Sequence, residues 1–321
     1  MAEWFYEAGI GENRAALIEH GRILEAAIER EGAGPLAGTI DEARLSEVIV
    51  PRLSARIRLQ SGGEALLDGI PPGVSEGQSL FVRIVREAIP EPGRQKLPKA
   101  VAAPEATSPQ PGPDLLARIA ASGLAVRQLL GHEPDALEDA GWSELLEEAE
   151  NGEIAFPGGV LRLSITPAMT LFDVDGSAPP AQLALAAAEA AAAAIRRHGI
   201  GGSIGIDFPT LPDKTARKAA SDAFDSAFPQ PFERTAINGF GFMQVVRRRT
   251  RASIPEILRD DPIGASLCAA LRRIERDPPP PGRAADLAPA LLKRLANHQA
   301  WRSELARRTG RSEADLLGSA S

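Results

Sequence analysis

Apolar and polar residues alternate in short runs over most of the first hundred positions, then give way to runs of helical length. Arg14-Ala15-Ala16-Leu17-Ile18-Glu19 and Arg22-Ile23-Leu24-Glu25-Ala26-Ala27-Ile28 flank His20-Gly21, a pattern that predicts a β-hairpin with a solvated histidine at its turn. Between 36 and 100 the runs Gly38 to Leu45, Glu47 to Pro51, Ser54 to Gln60, Glu64 to Asp68 and Gln78 to Glu87 are separated by glycine and proline turns. So many short strands predict a small barrel, best matched by the OB type. Arg56-Ile57-Arg58-Leu59 alternates as a half-buried strand does. Pro98 to Pro113 has no periodic apolar face and reads as a linker. Asp114 to Leu130 and Asp135 to Ala149 then read as two helices around Gly131-His132-Glu133-Pro134, the second with a solvated acidic face.

The centre of the chain is patterned differently. Ile154 to Ile165 predicts a hairpin through Pro157-Gly158-Gly159. Leu171-Phe172-Asp173-Val174-Asp175-Gly176 and Ser203-Ile204-Gly205-Ile206-Asp207-Phe208 are each an apolar strand ending in a carboxylate. Between them, Pro180 to His198 is alanine-rich, basic in its last turn and stopped by Gly199, which predicts a helix. A strand, helix, strand crossover returns the chain parallel to its start and brings Asp173 and Asp207 to one sheet edge. A further helix is predicted from Asp213-Lys214 to Phe228, with Lys214, Arg217 and Lys218 on its first turns. In Asn238 to Arg251, Phe240, Phe242, Val245 and Val246 are expected in the core, followed by the cluster Arg247, Arg248, Arg249 and Arg251. Pro278 to Pro281 breaks the chain before two helices, Ala285 to Leu295 and His298 to Thr309, with Trp301 as a core anchor.

At 321 residues there is room for two or three small domains. One cysteine, Cys268, rules out an intramolecular disulfide and a cysteine zinc site, and a reducing cytoplasm is the expected compartment. No apolar run reaches membrane-spanning length, and the start of the chain lacks the basic-then-apolar pattern of a leader. The net charge of −7 excludes nucleic-acid binding by bulk charge alone. Its distribution changes that picture, because 231–311 carries 16 Lys/Arg against 8 Asp/Glu, or +8, leaving −15 elsewhere.

Two carboxylates held close repel, and a shared proton or a bound divalent cation is the usual reason to tolerate them. Strand-end aspartates also serve simply as loop and helix caps. The cation reading favours magnesium, which needs few protein oxygens and suits phosphate chemistry.

Three blocks carry a resemblance: Ile165-Thr166-Pro167-Ala168-Met169-Thr170-Leu171-Phe172-Asp173-Val174-Asp175, Gly201-Gly202-Ser203-Ile204-Gly205-Ile206-Asp207-Phe208, and Gly239-Phe240-Gly241-Phe242-Met243-Gln244-Val245-Val246-Arg247-Arg248-Arg249. In order and character they resemble the ribonuclease E/G endoribonucleases. The resemblance implies an α+β fold in which a ribonuclease-H-like mixed sheet with helices carries an inserted OB-type barrel. The implied parts are an opening hairpin (1–35) joining the catalytic core, the barrel (36–100), a linker and helical segment (101–150), the metal-binding core (151–255) and a small helical end-domain (256–321). It implies Mg2+-dependent hydrolysis of single-stranded RNA, with Asp173 and Asp207 holding the metal. Asp175, where the family usually has asparagine, would be a third ligand or orient a water. Arg247, Arg248, Arg249, Lys214, Arg94 and Lys96 are the expected RNA contacts. The chain lacks the family's paired-cysteine zinc link, so any oligomer is expected without shared zinc. It also lacks the Arg-Thr pocket for an RNA 5′-monophosphate, and its barrel strands offer Ile57, Leu66 and Leu67 where the family exposes aromatics. Two alternatives stay open. One is a catalytically weak or inactive RNA-binding protein on a degenerate nuclease scaffold. The other follows Leu171-Phe172-Asp173-Val174-Asp175-Gly176-Ser177, which resembles the opening motif of haloacid-dehalogenase-type phosphatases, with a nucleophilic first aspartate and an acid/base second.

Overall fold

Strands come first, as the short-period alternation requires. In the computed structural model, which describes residues 1–91, 93–280 and 283–317, β1 (Glu3–Ala8), β2 (Glu12–Glu19) and β3 (Arg22–Arg30) form an antiparallel meander. β2 and β3 are the predicted hairpin, with His20 and Gly21 at its turn. Then follow β4 (Ile40–Val50), β5 (Ser54–Leu59), β6 (Glu64–Asp68) and β7 (Ser79–Arg86), a ribbon of β8 (Ile89–Glu91) and β9 (Arg94–Lys96), and β10 (Lys99–Ala102). β10 closes a five-stranded barrel in the order β10-β6-β5-β4-β7, parallel to β6 and antiparallel to β7. This closed barrel is compatible with the OB type.

Three expectations in this region need correction. The runs on either side of Ser46 are one strand, β4, because the register slips by a bulge between Leu45 and Glu47 rather than turning. The start of the supposed linker supplies the closing strand, since Ala100 fills the barrel core. Ile57 and Leu67 are fully buried in that core and offer nothing to a ligand; the exposed apolar side chains of the barrel are Ile49, Val50 and Leu53.

The next segment departs further. α1 (Leu115–Ala120) stops before Gly123, and β11 (Val126–Leu129), expected to be helical, pairs in parallel with β1. The order β11-β1-β2-β3 is a separate sheet, so the opening hairpin does not join the strands bearing the aspartates. α2 (Ala136–Asp139) and α3 (Trp142–Asn151) follow, with Trp142 and Leu145 buried and Glu144 and Glu147 exposed.

A second sheet is built from β12 (Glu153–Phe156), β13 (Gly159–Ile165), β14 (Thr170–Gly176), α4 (Pro180–Arg197), β15 (Gly202–Asp207), α5 (Lys214–Ala227), β16 (Glu233–Arg234) and β17 (Phe242–Arg247). Its order is β12-β13-β14-β15-β17-β16, with β14 and β15 parallel and the other neighbours antiparallel. The alanine-rich α4 buries Ala184, Ala187, Ala188, Ala191 and Ala192 in one core with Phe172, Ile204 and Ile206, and the absence of bulk lets it lie close over β13 and β14. α5 packs beside it through Ala220 and Phe224.

The chain ends in α6 (Ile254–Asp260), α7 (Pro262–Arg276), α8 (Pro289–Ala296), α9 (Gln299–Thr309) and α10 (Glu313–Leu317). Among the described residues no helix is long and apolar enough to cross a membrane. α7 is fastened to the first sheet by Arg272 to Glu12 (2.8 Å) and Arg276 to Glu7 (2.5 Å). Glu7 also takes Arg14 at 2.5 Å, which reaches Asp135 at 2.6 Å. Trp301 anchors α9 as expected: its ring covers Gly11, its indole N–H donates to Glu31 at 2.8 Å, and His298 stacks on it at 4.0 Å. Gly11 has φ +76°, and a Cβ there would lie 2.5 Å from the Trp301 ring.

His198, fully buried at the end of α4, approaches Glu148 of α3 at 3.2 Å and accepts the Ile254 N–H at its carbonyl, joining three elements. Burial holds its imidazole below the ordinary pKa, partly offset by the Glu148 hydrogen bond.

Two outcomes are expected from this packing. Gly11→Ala lowers unfolding free energy by about 2 kcal/mol in urea melts, more than Gly21→Ala, whose φ is also positive but whose Cβ meets nothing within 4 Å. For His198, the unfolded chain takes up a proton before the folded one as pH falls. Its contribution is therefore present above about pH 6.5 and lost on acidification, and His198→Gln flattens the stability loss between pH 7 and 5.

Candidate active site

The α4 crossover sets Asp173 of β14 directly opposite Asp207 of β15 in parallel register. Neighbouring strands lie about 4.8 Å apart and register partners point to the same face, so the carboxylates are side by side. Phe172, Ile204 and Ile206 point the other way, into the core shared with α4 and α5. Asp173, Asp175 and Asp207 are all exposed, on the face that the helices leave uncovered.

The neighbours differ for each acid. Arg162 is the β13 register partner of Asp173, yet its guanidinium goes to Asp175 at 3.0 Å and to Glu153 at 3.6 Å. Asp173 and Asp207 have no side-chain hydrogen bond or ion pair among the described residues. Asp175 lies two residues along the same strand face, about 7 Å from Asp173, with its charge shared by Arg162. Among the described residues no group of three or more His, Cys, Asp or Glu is gathered for a metal, so the candidate donor set is the aspartate pair. Two facing carboxylates without a cationic partner suit a hard cation that keeps several waters.

Lys214 stands on the same edge. The chain leaves Asp207, loops through 208–213, and starts α5 where the Asp213 carboxylate accepts the Ala216 N–H at 2.8 Å. Lys214 is exposed and has no ion pair among the described residues, whereas Lys218 is held by Asp222 at 2.5 Å.

The arginine cluster is elsewhere. β17 runs antiparallel to β15, pairing Phe242 with Asp207 and Arg247 with Gly202, so Arg247 is five residues, about 17 Å, from the acidic pair. Arg247 donates to the Ile200 carbonyl at 3.2 Å and lies over Phe228, and burial lowers its pKa. Arg249 is paired with Glu256, and Arg248 is exposed. Together they line a small cleft of about 120 Å³ against Glu25 to Ile28 of β3 and the turn after His198. Arg251, lowered by burial, borders the adjoining cleft of about 280 Å³ and faces Glu87 at 3.6 Å. Lys96, on the β8–β9 ribbon, is paired with Glu91 at 2.5 Å. Arg94 lies on β9, and its side chain falls outside the described residues. The structure thus pairs Asp173 with Asp207, leaves Asp175 two residues along the same face and Lys214 at the start of the helix that follows β15, and separates them from Arg247, Arg248 and Arg249.

One residue of this edge escaped the pattern of the sequence. Phe240, expected in the core, is 86% exposed, as is Val246 at 46%. The signal was present in Asn238-Gly239 and Gly241, turn residues on both sides of Phe240 that make it a loop tip.

Neither a family model nor a curated protein sequence matches the chain.

If the pair is a cation site, Mg2+ raises the melting temperature of the wild type and leaves those of Asp173→Asn and Asp207→Asn unchanged. In EDTA each of these variants is at least as stable as the wild type, because one of two like charges set opposite each other is gone. Thermal melts at several magnesium concentrations read both effects.

Proposed function

We propose that the chain is a magnesium-dependent endoribonuclease that hydrolyses single-stranded RNA, a shortened relative of the ribonuclease E/G enzymes. The observation that carries this reading is the Asp173 and Asp207 pair, exposed, in register and without a cationic partner among the described residues. Three antiparallel strands, a crossover helix, a parallel strand and a second helix support a ribonuclease-H-like description of the sheet, and the closed barrel supports an OB-type RNA-binding part. On this reading the protein works in the cytoplasm, and its one cysteine, buried with its pKa pushed up to about 12, stays a thiol.

Asp173 and Asp207 would hold the magnesium ion, which when bound supplies an activated water and neutralises charge on the phosphate. Asp175, oriented by Arg162, can accept a hydrogen bond from a water at the same edge. Lys214, exposed at the start of α5 after the end of β15, adds a positive charge at that end of the sheet. Arg248, exposed just past the far end of β17 and six residues from the register partner of Asp207, acts on another phosphate of the strand and so on affinity rather than on the reacting group, while Arg247 turns to the other face, over Phe228.

That same separation favours a second reading, an RNA-binding protein that does not cut. The phosphatase alternative needs a lysine and an acidic pair around Asp173, and its register partners are Arg162 and Asp207.

Cleavage of a single-stranded, A/U-rich RNA tests the proposal. Cutting is expected with Mg2+ and not with EDTA, and Asp173→Asn and Asp207→Asn lower it on the order of 100-fold or more. Arg248→Ala raises KM and weakens the salt dependence with little change in kcat. Protein that binds this RNA without cutting it, with both aspartate variants binding equally well, overturns the nuclease reading in favour of the second.

A further inference from the structure

Resting on the nuclease reading, we propose that Phe240 is a stacking platform for one base of the RNA strand, holding the nucleotide next to the phosphate at Asp173 and Asp207. A phenyl ring 86% exposed at a loop tip loses the burial that ordinarily keeps phenylalanine inside. The loop nevertheless holds it out by construction. The Asn238 side chain accepts the N–H groups of Phe240 at 2.9 Å and of Phe242 at 3.1 Å. The Asn238 carbonyl accepts the Gly241 N–H at 3.2 Å, and its own N–H donates to the Phe242 carbonyl at 3.0 Å. Gly241 has φ +93°, and a Cβ there would lie 2.3 Å from the Phe208 carbonyl oxygen, so the turn closes against the end of β15 only with glycine. The Gly241 carbonyl in turn accepts the Phe208 N–H at 3.0 Å.

These bonds tie the tip to the acidic edge. Phe242 is the register partner of Asp207, and Phe208 follows Asp207 directly. Phe240 therefore stands in the turn two residues beyond the register partner of Asp207, on a backbone with little freedom. A rigid, exposed aromatic beside a phosphate-processing pair suits single-stranded nucleic acid, whose bases each present a π-face while the backbone carries the phosphates. Stacking does not depend on base identity, so the platform positions the strand without selecting its sequence. Among the described residues the barrel has no fully exposed ring: its exposed large apolar residues are aliphatic, and Phe81 of β7 is half-buried.

The test uses the full chain and A/U-rich single-stranded RNA carrying one 2-aminopurine at successive positions, with EDTA for binding and Mg2+ for cutting. Phe240→Ala and Phe240→Leu are expected to raise KM roughly tenfold with a smaller change in kcat, and to abolish the fluorescence quenching seen at one position with wild type. Phe240→Trp restores both, which an aliphatic or merely structural role does not. Melting temperatures of all three should match wild type, since the ring covers nothing. Unchanged KM and quenching in the alanine and leucine variants overturn the platform and leave the nuclease standing. Quenching that depends on Phe240 in a protein that never cuts sinks the nuclease and keeps the platform. A wild type that neither binds nor quenches removes both.

Discussion

The parallel register between β14 and β15 is the constraint on which the candidate site depends. It exists because α4 crosses over the sheet and its alanine face joins Phe172, Ile204 and Ile206 in one buried core. A slip of one residue would turn those side chains out and the carboxylates in, so the core that fixes the register also fixes the acids on the open face. Two like charges are thus brought side by side by apolar packing behind them. The chemistry of the front of the sheet is set by the hydrophobic effect at its back.

A second frame holds the rest of the molecule. Glu7, Glu12 and Arg14 are buried in the first sheet and meet Arg272, Arg276 and Asp135 from α7 and the turn before α2. Removing one partner of such a buried pair costs on the order of 3–5 kcal/mol, because the other charge is stranded. His198 links this frame to the acidic sheet through α3 and α6. That joint lies at the start of β15, at the opposite end from Asp207, which keeps the site on a rigid edge and its supports at the far one.

Charge is distributed along the same axis. The acidic pair and Lys214 occupy one edge, and Arg247, Arg248 and Arg249 occupy the other, against β3. An RNA strand on the open face would run along β15 and β17 from Phe240 at the acidic end towards Arg248; Arg247, an odd number of residues from Phe242, turns to the helix-covered face and lies over Phe228. This explains how a chain of net charge −7 can offer a polyanion a local path without attracting it over its whole surface.

Local pattern alone determined much of this. The hairpin around His20-Gly21, the barrel's short strands, α4 with its glycine stop, and the parallel placement of Asp173 and Asp207 follow from period, turn chemistry and crossover handedness, which are properties of neighbouring residues. Tertiary structure decided the rest. Val126 to Leu129 is a strand only because β1 offers it an edge, and Lys99 to Ala102 only because the barrel needs a fifth strand to close. Arg249 and Lys96 looked available for RNA until folding brought Glu256 and Glu91 to them. Arg247 and Asp207 belong to separate blocks of sequence, and the antiparallel return of β17 put them at opposite ends of one sheet. Which side chain meets which partner is set by turns and by how elements pack, and the pattern of apolar and polar positions does not carry it.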